Sequence, residues 1–376
     1  MDRELDIFSR LNPAVISDSQ NKRERLREWM DKRGLDGVIL SKADSFAWIT
    51  TGGNNRVVND SEIGVGHIVI TKDEHYLIAY YMDADRLYEE QVPGQGYQLI
   101  KMYWHEGDER IKAKKLAGLN AGADTHMPDV EYIAQEINDL QWPITQLELD
   151  RYRVLGKIHN DVLLKIFNQV MPGMRENEVY SSVVSEFSKY DIKVDVSICG
   201  SDERIDKYRH ILPTDKQIDK YLILGPVISK SGLHSLVSRS MYFGDPPERI
   251  KKAFKAAATI QGRIFKELKP GLKFSKILEL QKKWYADLGY PDGWHYHFQG
   301  GPTGYVVVDV GKNQTNQEIC APQPYSWFTT IQGAKVEELS ILTHKGIEIA
   351  SMFNNWPTIE VETNNGAISV PGMLIR

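Results

Sequence analysis

Val170-Met-Pro-Gly-Met-Arg-Glu-Asn-Glu-Val179 and Leu268-Lys-Pro-Gly-Leu-Lys-Phe-Ser-Lys-Ile277 are two versions of one design, and reading them together decides the fold. The first closes a long helical pattern, LELDRYRVLGKIHNDVLLKIFNQV, and opens a second, ENEVYSSVVSEFSKY. The second does the same between PPERIKKAFKAAATIQGRIFKEL and FSKILELQKKWYADLGY. Proline removes a backbone donor and glycine accepts a left-handed turn, so each Pro-Gly pair stops one helix and lets the chain start another. A repeat of this kind predicts two similar halves, each a pair of helices packed on its own strands, closing a pseudo-symmetric sheet. Two unrelated helix-turn-helix corners remain the plainer alternative, because Pro and Gly are common helix punctuation.

Upstream, residues 20–33 place Leu26, Trp29 and Met30 at helical spacing among charges, and Gly34 reads as a stop signal. The runs DGVILSK, GHIVITKD, EHYLIAYY and SFAWIT are rich in β-branched and aromatic residues and read as strands. The expected fold class is α/β in the α+β sense, with a small N-terminal α/β domain over residues 1–145 and a C-terminal repeat domain over 146–376. A new strand is expected at HYHFQGG, residues 295–301.

Composition narrows the function classes. With 376 residues and 41% hydrophobic content the chain can bury a large core. Its 46 basic and 51 acidic residues are mixed along the chain, so no broad basic face offers itself to nucleic acid. MDRELDIFSRLNP lacks the basic start and apolar run of a secretory leader, and no stretch approaches the ~18 apolar residues that span a bilayer. The expectation is a cytoplasmic protein with no membrane or nucleic-acid partner. Cys199 and Cys320 are too few for a disulfide framework and read as small buried residues.

Three C-terminal segments, in this order and spacing, carry a family resemblance: Tyr208-Arg-His-Ile-Leu-Pro-Thr214, His297-Phe-Gln-Gly-Gly-Pro-Thr-Gly-Tyr305 and Gly333-Ala-Lys-Val-Glu-Glu338. Together with the repeat they resemble the creatinase, prolidase and aminopeptidase P family, and in particular a bacterial branch loosely called Xaa-Pro peptidase. The resemblance implies a small N-terminal domain followed by a pita-bread domain. Metal-using members hold two divalent ions with two Asp, one His and two Glu, because carboxylate-bridged hard cations activate a water. Aligned on this chain, those positions carry Gly225, Leu236, Gly301, Thr329 or Thr330, and Glu337. Only Glu337 is a ligand, so no metal and no other cofactor is expected. The chain also departs from its branch at Trp327-Phe328-Thr329-Thr330, where an Asn-Pro pair is usual after the Trp.

Creatinase resembles this case in needing no metal, and His210 aligns with its proton-shuttling histidine. Read alone, His210 is equally a surface histidine at a turn. His297 matches a family position, whereas His295 reads as packing among aromatic neighbours on the same strand face. Glu337 would orient a cationic group, or would simply pair with Lys335 in its own strand. The catalytic set is thus His210, Glu337 and His297. Substrate-binding candidates are Arg204, Arg209, Arg239, Gly301, Tyr305 and Glu338. By resemblance to prolidase-like dimers, Trp48, Asn55 and Arg56 of the loop near TTGGNNRVVND would reach a partner's site in a homodimer, with a mobile surface loop as the alternative.

Three functions compete. The leading one is a metal-independent, creatinase-like hydrolase cleaving an amidine or amide C–N bond of a small amino-acid-like molecule. The others are a non-catalytic binding or regulatory protein, and an Xaa-Pro-type metallopeptidase whose metal has moved.

Overall fold

The computed structural model describes residues 5–376, so the first residues of the segment read for a leader lie outside it. Two compact units divide the chain: residues up to Arg151 with Ser231–Leu233, and Tyr152–Lys230 with His234–Arg376. The division falls at Arg151, inside a helix that starts at Gln146.

The first unit opens with helix α1 (Pro13–Arg33), longer than the expected 20–33. The extra turns come from its start signal: the Asn12 side chain accepts the Ala14 N–H at 3.0 Å and Pro13 occupies the first turn. Gly34 ends the helix at φ 67°. Strands β1 (Gly37–Lys42), β2 (Ile63–Thr71), β3 (His75–Tyr80), β4 (Gln98–Met102), β5 (Ala121–Ala123) and β6 (Glu131–Tyr132) form one mixed sheet ordered β4-β3-β2-β1-β5-β6. Its core joins Ile39, Val69 and Ile78 to Ala113 and Ala117 of a short helix. SFAWIT is not a strand: Ala43–Ile49 is helix α2, and Phe46, Trp48 and Ile49 are all buried. Aromatic content here reports burial, which a buried helix and a buried strand share.

The second unit realises the repeat. Helix α3 (Gln146–Gln169) leads through Pro172-Gly173 into α4 (Glu176–Ser188), and α5 (Glu248–Glu267) leads through Pro270-Gly271 into α6 (Phe274–Asp287). Both glycines adopt positive φ, 91° and 81°. The hydrogen bonds of the two turns correspond one for one. Gly173 N–H donates to Ile218 O (2.8 Å) as Gly271 N–H donates to Ile319 O (2.9 Å), and Ile218 N–H returns to Met174 O (2.9 Å) as Ile319 N–H returns to Leu272 O (2.8 Å). Asn177 to Thr214 and Ser275 to Thr315 repeat the match at 3.0 Å each.

After α4 come β7 (Lys193–Ser201), β8 (Tyr221–Lys230), β9 (Leu233–Leu236) and β10 (Arg239–Tyr242). After α6 come β11 (Gly301–Pro302), β12 (Gln323–Ser326), β13 (Thr329–Ile331), β14 (Ala334–Val336), β15 (Leu339–Thr343) and β16 (Gly346–Ile349). The first set pairs as β10-β8-β7 with β9 folded on β8, and the second as β11-β12-β15-β16 beside the β13–β14 hairpin. An isolated bridge between Ser238 and Glu337 links the two sets, with Ser238 N–H donating to Glu337 O at 2.9 Å.

The strand expected at 295–301 does not form. Gly293–Tyr296 is a 3-10 turn, closed by the His295 N–H donating to Asp292 O at 3.1 Å, and the paired strand begins only at Gly301–Pro302. His295 and His297 therefore do not share a strand face: His295 is exposed and His297 is buried. Among the described residues, no helix is long and apolar enough to cross a membrane. Cys199 is buried as expected, whereas Cys320 is half-buried.

Candidate active site

Four side chains from both halves meet in the second unit: His210, His297, Lys335 and Glu337. His210 comes from the loop between β7 and β8. That loop is strapped down by buried Glu176 at the start of α4, which accepts the Ser201 N–H and hydroxyl (both 2.8 Å), the Thr214 N–H (3.0 Å) and hydroxyl (2.8 Å), and Arg204. Six residues after Arg204, His210 brings its Nε2 to 3.2 Å from His297 Nε2.

The tautomers follow from the partners. His297 Nδ1 lies 2.7 Å from the Phe298 carbonyl, which can only accept, so Nδ1 carries the proton. In the neutral ring Nε2 is then an acceptor, His210 Nε2–H donates to it, and His210 Nδ1 is left with a free lone pair. Both rings are biased to neutrality. Burial, followed by the charge of Lys335, lowers His297 to about 4, and the same two causes lower His210.

Glu337 is buried at the end of β14. Its Oε2 accepts the Ser238 hydroxyl at 2.9 Å and lies 3.2 Å from Lys335 Nζ, and its Oε1 accepts the Ser326 hydroxyl at 3.1 Å. The Lys335 ammonium also sits over the Phe328 ring, 5.5 Å from its centroid. In the sequence Lys335 reads as an ordinary ion-pair partner of Glu337; the pair exists, but its charge is also what the two imidazoles feel. Nothing in the local pattern AKVEE distinguishes that role.

A dinuclear centre does not fit these residues. A side chain at Gly225 would have its Cβ 2.6 Å from Ser238 Oγ. Leu236 is buried with Val227 and Phe328 in an apolar cluster. Gly301 packs against backbone, with a Cβ there reaching 2.5 Å from Asp309 O. The Thr329 hydroxyl donates to Gln261 at 2.8 Å. Among the described residues, no group of three or more His, Cys, Asp or Glu is arranged to hold a metal elsewhere either.

The other sequence candidates fall in different places. Arg204 is spent on Glu176 and on the Leu212 carbonyl (2.9 Å), which makes it a strap of the His210 loop rather than a free carboxylate binder. Arg239 and Glu338 pair with each other in the interior, Arg239 also donating to Ser351 O (2.9 Å) and Glu338 accepting the Ser351 hydroxyl (2.6 Å). Burial pushes Glu338 up to about 7 against the pull of Arg239. Neither faces a substrate. Tyr305 is buried, and the Gly301 backbone is committed to pairing with Ser326. In the first unit Trp48 is buried and Asn55 donates to Gly66 O (2.8 Å) and Ser41 O (3.3 Å), while Arg56 donates to Ser61 O (2.7 Å), so these side chains hold their own loop. Arg209 stands apart from these, on the wall of a neighbouring cleft.

Comparison with known proteins agrees with this architecture. Residues 150–335 match the model of metallopeptidase family M24. An Xaa-Pro dipeptidase of Pyrococcus furiosus is 20% identical over 86% of this chain and 95% of its own length. The structure of an Xaa-Pro dipeptidase from Bacillus anthracis superposes with a TM-score of 0.72 at 18% identity, covering 95% of this chain and all of that one. The prolidase of Pyrococcus horikoshii gives 0.73 at 17% identity over 89% of this chain and 99% of its own. These matches agree with the kinship read from three short motifs and support a peptidase-like C–N hydrolase kind: residues 150–335 carry the M24 metallopeptidase pattern, and the chain has the prolidase fold, a pita-bread domain behind a small N-terminal one.

Proposed function

We propose that the protein hydrolyses a C–N bond, amide or amidine, of a small amino-acid-like molecule, and that it does so without a metal. The observation that carries this reading is the neutral His210–His297 pair beside the Lys335–Glu337 ion pair. His210 Nδ1 takes a proton from water as its oxygen attacks the substrate carbon. His297 holds the His210 ring by accepting from its Nε2–H. With an amide substrate, the Lys335 ammonium offsets the negative charge that develops on the carbonyl oxygen. The proton on His210 Nδ1 then passes to the leaving nitrogen as the C–N bond breaks, and the ring returns to its starting tautomer. Glu337, with both oxygens already hydrogen-bonded, positions Lys335 rather than acting as a base.

The match to a metallopeptidase family favours a second reading, hydrolysis of Xaa-Pro dipeptides with an added metal. One assay separates them. Chelator-treated protein is offered Xaa-Pro dipeptides, simple amides and guanidino acids, with and without added manganese, alongside His210→Ala. The expected result is metal-independent turnover of one class that falls about 10²-fold or more in His210→Ala. Turnover that appears only with manganese supports the second reading, and no turnover with any compound overturns both in favour of a binding protein.

A further inference from the structure

A cleft of about 470 Å³ opens beside the histidine pair, and its wall is built from the chain neighbours of the site: Arg209 precedes His210, Tyr296 precedes His297, and Thr330 pairs across the hairpin with Lys335. Its charge balance is lopsided. Asp206 lies on the wall but is claimed by Arg249 through two bonds of 2.8 and 2.7 Å. Lys207 and Arg209 are left facing the carboxylate of Asp292 among the lining residues. The Arg209 guanidinium lies 5.9 Å over the Tyr296 ring, and its buried Nε has no hydrogen-bond partner. Thr330, only 5% exposed, has a hydroxyl without a partner. Tyr290 and Tyr296 add aromatic surface to the same wall.

A planar guanidinium braced on an aromatic face at the wall of a cleft is suited to a carboxylate, and two tyrosines beside it suit a flat or ring-bearing body. We infer that this cleft is a subsite for the carboxylate of an amino-acid-like ligand with a ring-bearing side chain, held by Arg209. The inference rests on the proposed function for which bond is then cut, and on nothing but the cleft for binding.

Isothermal titration of the metal-stripped His210→Ala protein with N-acetyl-L-phenylalanine, its carboxamide and N-acetylglycine tests it. The expected result is binding of the first at least about 10-fold tighter than either of the others. Adding Arg209→Gln erases the preference over the carboxamide, and Arg209→Lys restores it only in part. Equal affinities, no binding of any of the three, or a preference that survives Arg209→Gln overturns the inference. Because the readout is binding in a protein disabled for turnover, a failed hydrolysis assay leaves it standing, and its failure leaves hydrolysis standing.

Discussion

The two halves of the repeat share a backbone and differ in chemistry at the same point. Where α4 begins, the buried residue is Glu176; where α6 begins, it is Phe274. Matching hydrogen bonds surround both turns, yet Glu176 gathers Ser201, Arg204 and Thr214 into the strap that carries His210, while Phe274 packs in the core beside Tyr325. The same fold unit thus serves as a polar anchor for a functional loop in one half and as plain core in the other. A repeated scaffold fixes where a side chain stands, and the local residue decides whether that place does chemistry.

Breaking each half in turn gives the largest expected effects. Glu176→Ala strands Arg204 and several buried donors, and Phe274→Ala opens a cavity; each should cost about 3–5 kcal/mol of stability. The contrast lies in what else moves. Hydrogen exchange should rise over residues 201–214 in the Glu176 variant alone, and turnover at His210 should fall more than in the Phe274 variant. Similar exchange patterns in both would mean that Glu176 is only core.

Acid sharpens the comparison at a smaller scale. His297 is held neutral in the folded protein, at about 4 against 6.5 for a free histidine, and buried His159 is likewise lowered, by burial and by Arg239. An unfolded chain therefore binds protons that the folded one refuses as pH falls below about 6.5. Stability is full above that value and is lost on acidification towards pH 4, with His297 contributing up to about 3 kcal/mol. Denaturation midpoints measured across this range should fall steeply for the natural protein and less steeply for His297→Gln.

The contrast between the halves also marks how far the sequence can be read. Pro172-Gly173 and Pro270-Gly271 announce the repeat because helix stops have a local chemical cause. His210 and His297 stand out through short motifs, and the structure brings them together. Arg239 and Glu338 read as substrate groups in the sequence because their mutual pairing spans 99 positions, which no local pattern reveals. The alternation in HYHFQGG suggests a strand, but a turn closed on Asp292 claims its first residues. Lys335 is visible only as a neighbour of Glu337; its influence on two histidines from distant segments exists only in three dimensions.

The charge that Lys335 places beside two neutral imidazoles is tested most directly by the titration of His210 and His297, followed by NMR in metal-stripped, histidine-labelled protein, with and without Lys335→Met. The prediction is that both rings titrate below the ordinary histidine range, His297 near 4, and that removing the ammonium moves both upward. Titration of both rings near 6.5 regardless of Lys335, or stoichiometric capture of both by added zinc or manganese, would contradict it.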